Sequence, residues 1–183
     1  AAPVRRQAAP VRRQAERIRR RSLHQTTRNG YKLDMVEFQQ ELIYDVVEEI
    51  ESLLELHYQE LTLNKNKVKL KPIWSKYADL ERADALVVYT AREGGTLIGY
   101  SVFFVNRHLH YEDLVHAQND ILYLHPDHRL GMTGIRLIKF SEQQLKALGV
   151  NKVTWHAKHN TSLIPILTRL GYRNEEVSMG KLF

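Results

Sequence analysis

The chain contains no cysteine. That excludes disulfide staples, thiolate metal sites and a cysteine nucleophile, and it fits a cytosolic setting. No run of 18 apolar residues occurs, so no stretch reads as a membrane-spanning helix, and none reads as a secretory apolar segment. Proline and glycine are sparse, 5 and 9 among 183 residues, so where they cluster they mark turns and helix ends. Acid is nearly missing from one region. Residues 1–30 hold one acid, Glu16, against nine Arg, which places +8 of the net +6 there and leaves −2 on the remaining 153 residues. The basicity belongs to the first thirty residues, and the rest is close to neutral.

This asymmetry divides the chain into a basic arm, residues 1–30, and a domain, residues 31–183. Ala1–Gln7 (AAPVRRQ) repeats as Ala8–Gln14, and Ala15–Arg21 (AERIRRR) is a degraded third copy. Such a repeat cannot bury a core alone, and Pro3 and Pro10 oppose a continuous helix. Clustered Arg neutralises phosphates without sequence preference, so residues 1–24 are a candidate contact for nucleic acid or another polyanion. A solubilising tail and an Arg-rich targeting segment are the competing readings.

The domain turns on Asp120–Leu137, DILYLHPDHRLGMTGIRL. Ile121, Leu122 and Leu124 form an apolar run of strand length, His125-Pro126-Asp127-His128-Arg129 breaks it, and Gly131 and Gly134 open a helix. A strand that turns through glycines into a helix directs free backbone N–H groups at one spot. At the positive end of the helix dipole, that spot is an anion site.

Around it the pattern predicts helices and strands. Asp34-x-x-Glu37 reads as a capping box opening a long helix to about Leu61, with an apolar stripe from Val36 to Leu54. Its many acids read as a solvated face or as a rim for a cationic amine. A short helix spans Ile73 to about Arg82, with Trp74 and Tyr77 as core aromatics. Ala85–Arg92 and Thr96–Val105 form a hairpin about Glu93-Gly94-Gly95, and Asn106–Asn119 reads as a polar connector. Then follow the strand at 121–125, its helix to Leu148, a strand at Lys152–His156, a short helix capped by Thr161 or Ser162, and a last strand at Val177–Leu182. A hairpin followed by strand–helix–strand implies an α/β fold with a mixed, mostly antiparallel central sheet and helices on both faces.

Leu122–Gly134 resembles the GNAT superfamily of N-acetyltransferases, whose pattern is a strand, x-Pro, Arg/Gln-x-x-Gly-x-Gly/Ala and a helix. Gly99-Tyr100 upstream, and Asn160 with Leu170-Gly171-Tyr172 downstream, are similar to further family features. The combination of His108-Leu109-His110-Tyr111, Asp120 and Arg129-x-Gly131-x-x-Gly134 resembles GNAT proteins of tailed phages. The glycines depart from the family register: counting from His128 the sixth position is Thr133, and counting from Arg129 the fourth is Met132.

The resemblance implies acetyl-CoA as co-substrate and direct attack by an amine acceptor, with no metal and no covalent intermediate. Pyrophosphate would rest on the N–H groups of Leu130, Gly131, Met132, Thr133, Gly134 and Ile135, beside Arg129. The pantetheine arm would pair with the strand edge ending in Leu124 and His125 and touch Asn160. Asp120 is the candidate base, with His116 and Tyr111 in reserve. The family's general-acid Tyr aligns with Leu167. The alternative is a catalytically weak or silent GNAT-fold protein, a phage structural or virion-associated component that binds nucleic acid or a partner through its Arg-rich arm, with an oligomer or virion assembly possible. His108 and His110 would share a strand face, but without Cys or an acidic third ligand zinc is disfavoured.

Overall fold

The structure is a computed structural model that describes residues 35–159 and 161–183. The expectations for the Arg-rich arm, for Asp34 and for Asn160 lie outside the described residues.

Five strands form one sheet in the order β1 (Glu37–Glu41), β2 (Leu86–Glu93), β3 (Thr96–His108), β4 (Tyr111–Leu124) and β5 (Lys152–Thr154). The first four pair antiparallel, and β5 joins β4 in parallel, so the sheet is mixed as expected. Between β1 and β2 run α1 (Ile43–Leu61) and α2 (Trp74–Arg82); α3 (Thr133–Ala147) links β4 to β5, and α4 (Leu163–Arg169) follows. Gly94 and Gly95 both adopt positive φ in the β2–β3 turn, the conformation a tight hairpin requires.

The strands alternate, and each face receives helices. Leu86, Val88, Tyr100, Val102 and Tyr123 face α1 and α2, where Ile43, Val46, Ile50, Leu53, Leu54 and Ala78 are buried. Val87, Tyr89, Ile98, Phe103 and Ala117 face α3, against Leu137 and Leu145. Each fully buried aliphatic side chain removes apolar surface worth about 1.5–3 kcal/mol, which makes this two-sided core the main source of stability. A buried hydrogen bond of 2.8 Å between the Ser101 and Ser141 hydroxyls fixes α3 on the sheet. Among the described residues, no helix is long and apolar enough to cross a membrane.

Four expectations are corrected. Glu37 does not belong to a capping box: Glu37–Glu41 is an edge strand, and the helix begins only at Ile43. Both Glu81 oxygens accept from the Ile43 N–H, at 3.0 and 3.1 Å, so a carboxylate on α2 does the work of a local cap. Val36 packs with Phe38 on the α3 side instead of in the α1 stripe. The connector at 106–119 is mostly sheet, because its polar residues lie where β3 and β4 run past the helices. His108 therefore closes β3 while His110 sits in the turn, and the two share no strand face. Finally, 177–182 forms no strand, and Val177 and Met179 are exposed.

Candidate active site at the open end of β4

β4 outruns its neighbour. It pairs with β5 only at His116, Ala117 and Gln118, opposite Lys152, Val153 and Thr154. From Asn119 to Leu124 no strand among the described residues covers that side, whereas the β3 side stays paired through Leu124, opposite Gly99. Near Leu124 the uncovered edge carries one side-chain bond, from the Arg129 Nε to the Leu124 carbonyl. The β3 side continues one bond further, with the His125 N–H donating to the Ile98 carbonyl at 2.8 Å.

Within this stretch the ladder carries one extra residue. Val102 opposes Ile121 and Phe103 opposes Asn119, which leaves Asp120 unpaired in a β-bulge. Asn119, 1% exposed, holds the bulge. Its amide donates to the Val102 carbonyl at 3.3 Å and to the Ile121 carbonyl at 2.8 Å. The bulge shifts the phase of β4, and the Asp120 side chain turns toward α2.

There Tyr77 donates its hydroxyl to Asp120 Oδ2 at 2.8 Å. Burial pushes the Asp120 carboxyl above its ordinary range; the Tyr77 hydrogen bond and nearby His156 pull it only part of the way back. Burial and the adjacent carboxylate together push the Tyr77 phenol up, so Tyr77 stays protonated and remains the donor. The buried hydroxyls of Tyr100 and Tyr123 lie on the same face and find no hydrogen-bond partner among the described residues. His57 of α1 stacks on Tyr123 with ring centroids 5.1 Å apart, and burial lowers its pKa, which favours the neutral imidazole.

Beyond Leu124 the chain makes a short 3₁₀ turn, Pro126–His128, and reaches α3 through Gly131 at φ +88°. A Cβ at Gly131 would meet nothing within 4 Å, so this glycine serves backbone conformation rather than packing. α3 has no side-chain cap and no acid in its first turn. The N–H groups of Leu130, Gly131, Met132, Thr133, Gly134 and Ile135 find no acceptor among the described residues, and the helix ladder begins with Arg136. Such a cluster, on the positive end of a helix dipole, fits the diphosphate of a nucleotide co-substrate.

Arg129 is committed elsewhere. Its guanidinium grips Glu60 with two bonds of 2.6 Å, and its Nε donates to the Leu124 carbonyl at 2.8 Å. It also lies 5.3 Å from the Tyr123 ring centroid. The hydrogen bonds from Arg129 hold the Glu60 carboxyl below the usual range. Arg129 thus ties the β4 turn to the last stretch of α1.

The reserve residues do not join Asp120. Tyr111 begins β4, nine residues and roughly 30 Å along the strand from Asp120, and packs on His108 at 4.7 Å. His116 lies four residues back, bonded to the Thr154 hydroxyl, and burial lowers its pKa. The acidic face of α1 is partly consumed: Arg92 takes Glu49, together with Glu41 of β1, and Trp74 donates to Glu51 at 2.6 Å. Among the described residues, no group of three His, Cys, Asp or Glu side chains could hold a metal. An open depression of about 540 Å³ lies apart from these residues, between the end of α1 and residues 65–70.

The β4 edge, the N–H cradle and Asp120 all fall within the span that one family model matches. The model of the acetyltransferase (GNAT) family matches residues 48–172. The chain belongs to the GNAT family of acetyltransferases. No curated protein matches it. A ribosomal-protein-alanine N-acetyltransferase from Brucella melitensis biovar Abortus 2308 superposes with a TM-score of 0.62 at 20% identity, over 81% of this chain and 98% of that one. An aminoglycoside acetyltransferase from an uncultured soil metagenomic sample, in complex with sisomicin, gives 0.62 at 15% identity, over 81% and 94%. A predicted acetyltransferase with acetyl-CoA from Clostridium acetobutylicum gives 0.61 at 11%, over 81% and 96%.

Within the GNAT frame two side chains stand out that the sequence reading did not place. Tyr77 had been assigned to the core, and only its contact across to β4 gives it another role. Asn119 had fallen in the supposed connector, yet it is the pin of the bulge. No local pattern marks either. Leu167, where the family carries a Tyr, is buried, 6% exposed, so this GNAT chain presents no phenol there.

Proposed function

We propose that this GNAT protein transfers an acetyl group from acetyl-CoA to a primary amine, with Asp120 as the base. The observation that carries this reading is the bulge, which turns a half-buried carboxylate toward α2 on the stretch of β4 that β5 leaves unpaired. The N–H groups of Leu130–Ile135 would hold the diphosphate, and the uncovered backbone of β4 up to Leu124 would take the extended arm. When bound, acetyl-CoA supplies the thioester carbonyl and the thiolate leaving group.

This chain's residues then do two things. The cradle and the strand edge fix the reactants, which converts a bimolecular encounter into a near-unimolecular one. Asp120 accepts the proton of the incoming ammonium, directly or through water. Its raised pKa brings it nearer to the working pH, which makes it a better base than an exposed carboxylate. The proton for the leaving thiolate would come from another side chain or from solvent, because Leu167 offers none.

The test is sequential. Millimolar acetyl-CoA should raise the melting temperature, and its absence of effect would sink the cofactor assignment. A thiol-release screen then compares amine classes. Aminoglycosides and peptides with an N-terminal alanine come first, because similar structures are named for those acceptors. Asp120→Asn should lower turnover far more than acetyl-CoA binding.

A second reading rests on Leu167 and on the nine Arg of residues 1–30. In it the domain is a weak catalyst, and the arm's contact with a polyanion is the main task. Full binding of acetyl-CoA without turnover on any amine class would favour it.

A further inference from the structure

Resting on the transferase reading, we infer that Tyr77 is a positioning residue for Asp120. It holds one carboxylate oxygen so that the other is presented, ionised, to the acceptor amine. The bond crosses from α2 to β4 at 2.8 Å, and α2 reaches it through a continuous set of contacts. Trp74 lies against Tyr77 with ring centroids 5.4 Å apart, and its indole N–H is anchored on Glu51 of α1 at 2.6 Å. Two helices therefore converge on one carboxylate oxygen. The arrangement is specific to the bulge: with a regular ladder, Asp120 would have no place among these contacts.

The groups facing Asp120 are few. They are Tyr77 from α2, Tyr100 from β3, Tyr123 from β4 itself and His156 beyond β5. His57 of α1 lies over Tyr123. His156 is held at the rim by Gln118, with their side-chain nitrogens 2.8 Å apart. Among these, Tyr77 alone hydrogen-bonds the carboxylate. A donor to an ionised carboxylate favours the charged form, whereas burial disfavours it. Without Tyr77 burial would act with less opposition, and the base would be protonated over more of the working range. The free rotamers that follow would also blur its aim at the amine.

Tyr77→Phe keeps the ring and removes the donor. In the full chain with ¹³C-labelled Asp carboxyls, the Asp120 NMR titration midpoint should move to higher pH. The acidic limb of kcat/KM should move the same way, and kcat/KM at neutral pH should drop roughly tenfold. The acetyl-CoA thermal shift should stay unchanged. Replacing Tyr77 by 3-fluorotyrosine, a stronger donor of nearly the same shape, should move the midpoint to lower pH. A midpoint that ignores both replacements overturns the inference and leaves Tyr77 as packing. The 3-fluorotyrosine protein decides the matter even where Tyr77→Phe folds poorly. The titration needs no turnover, so failure of every amine substrate counts against the transferase reading and leaves the test of Tyr77 intact.

Discussion

Gly99→Ala should loosen the cofactor end of the sheet from the inside. Gly99 lies opposite Leu124 in the β3–β4 pair. A Cβ there would stand 2.7 Å from Leu124 Cδ1, 2.8 Å from the Tyr123 carbonyl oxygen and 3.2 Å from Leu124 Cα. The leucine methyl can rotate away; the carbonyl and the Cα cannot move without β4. Overpacking of this kind costs about 1–3 kcal/mol. Alanine stiffens the unfolded chain and returns about 0.4–1 kcal/mol, so the net loss should be about 1–2 kcal/mol. For a domain of this size, 1 kcal/mol corresponds to about 2–4 °C, so the melting temperature should fall by about 2–8 °C. Differential scanning calorimetry reads this directly. Because the displaced strand is also the proposed pairing edge, the acetyl-CoA thermal shift should shrink as well. Ile50→Val, a core change of comparable cost on α1, should leave that shift intact. A Gly99→Ala protein that melts with the wild type would refute the argument, since β4 would then yield freely.

The remaining predictions concern charge. Asp120→Asn should reduce turnover about 100-fold or more at unchanged acetyl-CoA affinity, measured by thiol release and by titration calorimetry. Because the folded Asp120 pKa is raised, its contribution to stability is present in acid and lost as pH rises through that value. Asp120→Asn should therefore melt at or above the wild type at neutral pH but show no such gain in acid. Arg92→Ala should cost about 2–3 kcal/mol in urea denaturation, since Arg92 joins Glu41 of β1 and Glu49 of α1 to β2. Burial pushes Glu41 up, but hydrogen bonds from Arg92 and Thr90 outweigh it and leave the carboxyl below 4.5. That stabilisation exists above the unfolded value and disappears as pH falls, so the wild type should lose more stability than Arg92→Ala on acidification. Deleting residues 1–24 should abolish salt-sensitive DNA binding, and unchanged binding in a gel-shift titration would remove the arm from that role.

What could be read in advance was what local chemistry dictates. The strand–turn–helix at 120–137 announced itself through Pro126, Gly131 and Gly134, and α1 through its apolar spacing from Ile43 to Leu54. Asp120 was legible as the acid at the strand's entrance, but not the bulge that aims it, because a bulge is a relation between two strands. β1 was missed for a similar reason. EFQQE lacks the β-branched residues of a central strand, and it is held by Phe38 against Phe140 at 5.9 Å and by Glu41 on Arg92. The true start of α1 depends on Glu81, which lies 38 residues further along the chain. Arg129 could be recognised as part of the motif, yet its pairing with Glu60 spans 69 residues and leaves no local trace.

The extra residue in β4 separates activity from architecture. Remove Asp120 outright, and Asn119 and Ile121 become consecutive opposite Phe103 and Val102, so the ladder closes into a regular pair. The strand order does not depend on that residue, although the Tyr77 hydroxyl would lose its acceptor. Deleting Asp120 should thus leave the strand pairing in place while it removes the proposed base.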